Sequence, residues 1–170
     1  FPFPFAPIQI IFTELLMDLA SSTIFITEEA EPDVMSRQPR QRRRFLSWEV
    51  GKGILRNMAG LTLTILAVYF GSLALGSPTD TARTAAFATW LLGHIVLAMN
   101  LKQEKRPLFK QGVFSNTFAV LWLFGMIAFV VAMTQWPLAQ SVLGTTALSP
   151  MQWGMVAGGA LLASMWMEAV

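Results

Sequence analysis

The sequence has no cysteine among its 170 residues. That excludes a disulfide framework and any cysteine-based metal site. Charge is scarce as well. Only 13% of the residues are Asp, Glu, Lys or Arg, where a soluble domain carries about 25%. The few charges are clustered, and a net charge of +2 is too small for a nucleic-acid footprint. A phosphate-cradling loop of the form Gly-x-x-x-x-Gly-Lys-Ser/Thr is missing. Gly51-Lys52-Gly53 lacks the first glycine at the required spacing and the hydroxyl residue after the lysine. The opening FPFPF has neither an initiator Met nor a basic n-region. It does not read as a signal peptide and is expected to be a loop inside a longer chain.

What is present is apolar: 54% of the residues are hydrophobic. Five stretches are long enough to cross a bilayer, at about 7–27, 54–76, 82–101, 114–134 and 150–170. They occupy most of the chain and leave no room for a separate soluble domain. The expectation is an all-α membrane protein, a bundle of five transmembrane helices. The lipid bilayer is its surrounding partner and the plasma membrane its expected location. Seven of the twelve Lys and Arg residues lie in or beside the first long connection: Arg37, Arg40, Arg42, Arg43, Arg44, Lys52 and Arg56. Lys102, Lys105, Arg106 and Lys110 lie in the third, and Arg83 alone falls on the opposite side. Basic connections stay in the cytoplasm. The N-terminus is therefore expected outside and the C-terminus inside. The basic run 40–44 is juxtamembrane, where contact with anionic lipid is the plain reading.

Two carboxylates interrupt the first stretch. Glu14 and Asp18 are four residues apart, so on a helix they share one face. Pro7 suits the first helical position. From there, Glu14 would lie roughly 10 Å along the helix and Asp18 roughly 16 Å. That puts Asp18 near the middle of a hydrocarbon core about 30 Å thick. Acidic groups at such depth are costly and face ion paths, proton relays or internal partners. Their oxygens suit hard cations such as Ca²⁺, Mg²⁺ or Mn²⁺. Thr13, Ser21, Ser22 and Asn100 could add oxygens, but the set does not complete a cage. The plainer alternative is a structural pair with at least one carboxyl protonated, since two in low dielectric do not both ionise without a cation. His94, the single histidine, is either a neutral imidazole bonded between helices or part of an ion path. Asn57, Asn116 and Gln152 fall near stretch ends, where interfacial water or headgroups are expected. Glu168 can reach water. Gly154-x-x-x-Gly158 followed by Gly159 offers a small-residue face for close helix packing.

Residues 28–40 read E-E-A-E-P-D-V-M-S-R-Q-P-R and follow an apolar stretch with an internal Asp. This resembles the loop after transmembrane helix six of P-type cation-transporting ATPases. The run Pro4-Phe5-Ala6-Pro7-Ile8-Gln9-Ile10 resembles the Pro-and-Gln approach to that helix. Residues 91–100 (LLGHIVLAMN) resemble the middle of helix eight. The resemblance covers the whole chain, 1–170, as the C-terminal half of the transmembrane domain, helices six to ten. It implies that Asp18 is a ligand shared between ion sites and that Glu14 matches the polar position one turn earlier. Many calcium pumps have Asn there. His94 falls where calcium pumps place an acidic residue, and Leu19 replaces the usual Gly after the Asp. The implied metal-binding set is therefore Asp18, Glu14 and His94. The implied cargo is a cation: Ca²⁺, Mg²⁺, Mn²⁺ or a monovalent ion.

The resemblance implies further that ATP and Mg²⁺ act only in the parent. Its helices one to five and cytoplasmic headpiece are partners not contained in this sequence. The phosphorylation motif Asp-Lys-Thr-Gly-Thr is absent from these residues, so the segment alone is not expected to hydrolyse ATP. The alternative is a non-enzymatic five-helix membrane subunit, or a proton or metal carrier using the Glu14/Asp18 pair.

Overall fold

The computed structural model describes residues 5–16, 22–27, 34–36, 48–100 and 116–165. Among them the structure is helical, with no strand. Asp18, Ser21, the Arg-rich run 40–44, the basic residues 102–110, Trp166 and Glu168 lie outside the described residues, and so does the side chain of Asn100.

Among the described residues three helices are long and apolar enough to cross a membrane. The first is α3 (Trp48–Ala74), which starts earlier than its apolar stretch suggests. Helical hydrogen bonding does not stop where the hydrocarbon does, and at about 1.5 Å per residue α3 is about 40 Å long. Its surplus turns hold Lys52, whose ammonium lies 5.4 Å from the centre of the Trp48 ring, a cation–π contact. α3 ends where Gly76 takes a positive φ of 79°. There Gly76 N–H bonds Leu73 C=O and Ser77 N–H bonds Ser72 C=O, both at 3.0 Å. This is a Schellman cap, and it needs a residue without a Cβ at the left-handed position. Pro78 then starts the turn into α4 (Thr79–Asn100).

The third long helix is α5 (Thr117–Gln135). Asn116 caps it: its Oδ1 accepts the N–H groups of Phe118 and Ala119 at 2.9 and 3.2 Å. The connection beyond it contains a short helix, α6 (Pro137–Leu143), with Pro at its first position and Gly144 at φ 62° behind it. The last helix, α7, is Pro150–Met165. Ser149 and Gln152 form a reciprocal box at its start, the two bonds being 2.7 and 3.4 Å. Asn116 and Gln152 thus satisfy helix ends.

The expected first span appears as α1 (Pro7–Glu14) and α2 (Ser22–Thr27). Between them only Leu15 and Leu16 are described, in a widened π-type turn. A 3₁₀ turn, Val34–Ser36, lies in the first connection.

α4 is the hub. It packs on α3, α5 and α7, while α3 also packs on α7, and α2 and α6 pack on α5. Ala82, Ala85, Ala86 and Ala88 are fully buried on α4, and small side chains let its neighbours come close. The core runs from Phe87, Leu91 and Ile95 of α4 to Met126, Val130 and Met133 of α5, and to Val68 and Val156 on α3 and α7. Gly159 is the glycine of α7 that makes the close approach. A methyl there would sit 3.0 Å from Val68 Cγ2 and 3.1 Å from Thr64 Cγ2. The expected pair behaves differently: around a Cβ at Gly154 or Gly158 nothing lies within 4 Å.

Candidate ion site and its supports

Glu14 ends α1, on a face it shares with Ile10, Ile11 and Leu15, all exposed. The opposite face is buried through Gln9 and Thr13. Phe12 stacks on Phe129 of α5 with centroids 6.1 Å apart and rings 11° from parallel. Thr13 gives its hydroxyl proton to Gln9 C=O at 2.9 Å and keeps its lone pairs. Ser22, at the start of α2, is exposed.

His94 sits on α4, half-buried. Its Nδ1 is 2.9 Å from Trp90 C=O. A carbonyl only accepts, so Nδ1 carries the proton and a neutral ring keeps Nε2 as an acceptor or ligand atom. The ring packs edge-on against Trp90, centroids 5.8 Å apart. It lines a cleft of about 630 Å³ between α3 and α4, together with Phe5, Asn57, Leu61, Thr62 and Trp90. Asn57 Oδ1 is buried with no partner among the described residues. Glu14 does not line this cleft.

Of the three expected ligands, then, Glu14 and His94 stand on different helices and Asp18 lies outside the described residues. Among those residues no group of three His, Asp or Glu is placed to hold a metal ion. The described oxygens of Glu14, Thr13 and Ser22 with His94 Nε2 fall short of the six to eight ligands that Ca²⁺ takes. A cation site built on α1 therefore draws on further donors.

A second polar cluster escaped the sequence reading. Thr84 Oγ1 donates to Asp80 C=O at 2.8 Å and accepts Thr146 N–H at 2.9 Å. Gln140 Nε2 donates to Thr134 C=O at 2.7 Å, and Thr145 Oγ1 donates to Met133 C=O. Gln152 Nε2 reaches Ser77 Oγ at 3.2 Å. These bonds tie the turn after α3, the start of α4 and the connection between α5 and α7 into one clasp.

An all-helical bundle with bilayer-length apolar helices and an acidic group on an apolar helix face defines the class: a helical membrane module. Comparison with known proteins adds the family. The family described as "Cation transporting ATPase, C-terminus" matches residues 2–170, and the chain belongs to it. It is the C-terminal membrane region of a P-type cation ATPase. The chain is 28% identical to the calcium-transporting ATPase of Bacillus subtilis, over 92% of this chain and 18% of that protein. It is 25% identical to calcium-transporting ATPase 1 of Bacillus cereus, over 90% of this chain and 19% of that protein. A calcium-transporting ATPase of Listeria monocytogenes is 28% identical, over 98% of this chain and 19% of its own length. The chain thus spans under a fifth of the length of these relatives.

Proposed function

We propose that this chain is the ion-path half of the membrane domain of an ATP-driven calcium pump. Glu14 and Asp18 are its carboxylate ligands and His94 a further polar group beside the path. The reading is carried by family membership over residues 2–170 joined to a carboxylate, Glu14, on an exposed and otherwise apolar face of α1. Facing lipid near mid-membrane, an acidic side chain costs about 2.5–3.5 kcal/mol on insertion scales. Facing other helices of the parent, it can be neutralised by a divalent cation. Glu14 and Asp18 offer at most about four oxygens, so the remaining Ca²⁺ ligands come from the parent's other membrane helices. ATP and its Mg²⁺ act on the parent's headpiece. Calcium is the first cation to test because the relatives are named calcium-transporting. Mg²⁺ and Mn²⁺ compete for the same oxygen chemistry.

The five spans run from an external N-terminus to a cytoplasmic C-terminus, as the eleven-to-one distribution of basic residues supports. An impermeant thiol reagent that labelled a cysteine placed at Gln41 in sealed cells would overturn that orientation.

The experiment uses the full-length parent and follows phosphoenzyme formation from ATP against cation concentration. Asp18→Asn keeps the volume and removes the charge. Removing one charged ligand while its partner stays buried costs about 3–5 kcal/mol, and each ~1.4 kcal/mol is tenfold in binding. The half-saturating Ca²⁺ concentration should therefore rise by orders of magnitude, more than for Glu14→Gln. A normal response in Asp18→Asn with a shifted one in Glu14→Gln removes Asp18 as the central ligand. Normal responses in both make the pair structural.

A further inference from the structure

Gln9 is fully buried, although its neighbours on α1 are mostly apolar. Its carboxamide works in two directions. Oε1 accepts the Ala6 N–H at 3.0 Å and closes the first turn of α1. Nε2 donates to Leu143 C=O at 3.1 Å, 134 positions further along the chain. Leu143 is the last residue of α6, where helix carbonyls lack partners of their own. The acceptor is held on both sides, by Gln140 bonding Thr134 C=O and Thr145 bonding Met133 C=O. Gln9 therefore grips a braced point. The contact of α1 with α5 is instead apolar, in the stacking of Phe12 on Phe129. Apolar contacts are non-directional, and inside a bilayer they gain nothing from excluding lipid. They do not by themselves fix how far one helix slides along another.

We propose that Gln9 is a positioning residue: its bond to Leu143 sets the height of α1 along the bundle, and so the depth at which Glu14 presents its carboxylate. The two lie five positions apart on one continuous helix, so a slip at Gln9 is passed to Glu14 undiminished. The functional half of this inference rests on the pump reading of Glu14; the register half does not.

The test uses the full-length parent in a cysteine-free background. Phe12→Cys is paired in turn with Phe129→Cys, Gly125→Cys and Met133→Cys, and oxidative cross-linking reports the register. With Gln9 intact, the Phe129 position should cross-link best. Gln9→Met matches the side chain in length without its bonds and should spread cross-linking to the neighbouring turns. In the same change without the added cysteines, the Ca²⁺ concentration for half-maximal ATP hydrolysis should rise about fivefold or more, with the maximal rate within about twofold. A merely structural residue would lower protein yield and maximal rate together. Unchanged cross-linking overturns the clamp, and so does altered cross-linking with an unmoved half-saturation. If Gln9→Met fails to fold, Gln9→Asn, one methylene too short for Leu143, is read the same way. Loss of both variants while Thr13→Val accumulates normally makes Gln9 a folding residue and also overturns the proposal. A wild-type parent that no cation stimulates sinks the pump reading, while the cross-links still decide the register.

Discussion

α4 and α5 are both long enough to span a bilayer, yet they are built for different neighbours. α4 is the least apolar of the three spanning helices and the most enclosed, with 61% of its spanning window buried in the protein. α5 is the most apolar and only 28% buried. α4 carries Thr84, Thr89 and His94 along its length, and each bonds the carbonyl four residues back, at 2.8, 2.8 and 2.9 Å. α5 keeps its hydroxyl and carboxamide side chains at its ends, in the Asn116 cap and at Thr134, and carries only the indole N–H of Trp122 further in. Between them it turns Phe118, Leu121, Phe124, Ile127 and Val131 outward. Between these two helices polarity therefore follows enclosure by protein rather than depth alone. A buried polar group is tolerated when it is bonded, and α4 bonds its own.

The sharpest way to break this contrast is to give α5 what only an enclosed helix can carry. Phe124 is exposed near the middle of α5. Phe124→Asp should cost about 2.5–3.5 kcal/mol of insertion free energy, a loss of more than about tenfold in correctly inserted chains. Membrane recovery, with impermeant labelling of a cysteine placed in the connection after α6, measures it. Wild-type recovery of Phe124→Asp would mean that this face meets protein rather than lipid.

A smaller effect is expected where α7 meets the hub. Gly159 has Val68, Thr64 and Thr89 around it, with a Cβ position 3.0, 3.1 and 3.4 Å from their methyl groups. All three are β-branched and stiff, so no single side chain can swing away. Gly159→Val should destabilise by about 1–3 kcal/mol. Gly154→Val, pointing into open space, should change thermal unfolding in micelles much less. Equal effects would show that α7 approaches the bundle along the Gly154–Gly158 edge instead.

The sequence marks the three long apolar helices plainly, because bilayer length and hydropathy are one-dimensional properties. It says little about which span lies at the centre. Lipid and protein interior are both apolar, so a membrane helix need show no amphipathic stripe. The alanines of α4 hint at close packing but name no partner. Some end signals are local. Ser149-Pro150-Met151-Gln152 has the spacing of a capping box, and Pro137 with Gly144 brackets α6 as a start and a stop. At the candidate site, Glu14 and Asp18 stand out because charge is rare in such a stretch. Gln9 does not, since its meaning lies in a carbonyl supplied by Leu143, which no local pattern connects to it.

The smallest effect should come from removing polarity from α4 without changing its shape. Thr89 is fully buried beside Gly159 of α7, a place where a lost partner would ordinarily be felt. Its hydroxyl, however, donates to Ala85 C=O on its own helix, and that carbonyl already belongs to the α4 backbone ladder. Thr89→Val removes donor and hydroxyl together and leaves no other side chain unsatisfied. Replacing a bonded polar group by an apolar one of the same shape can be nearly neutral. The expected change is below about 1 kcal/mol, read as a small shift in thermal unfolding in micelles. A loss of several kcal/mol would mean that this hydroxyl serves a second helix, and that α4 owes its polarity to cross-helix bonding instead of to bonds within itself.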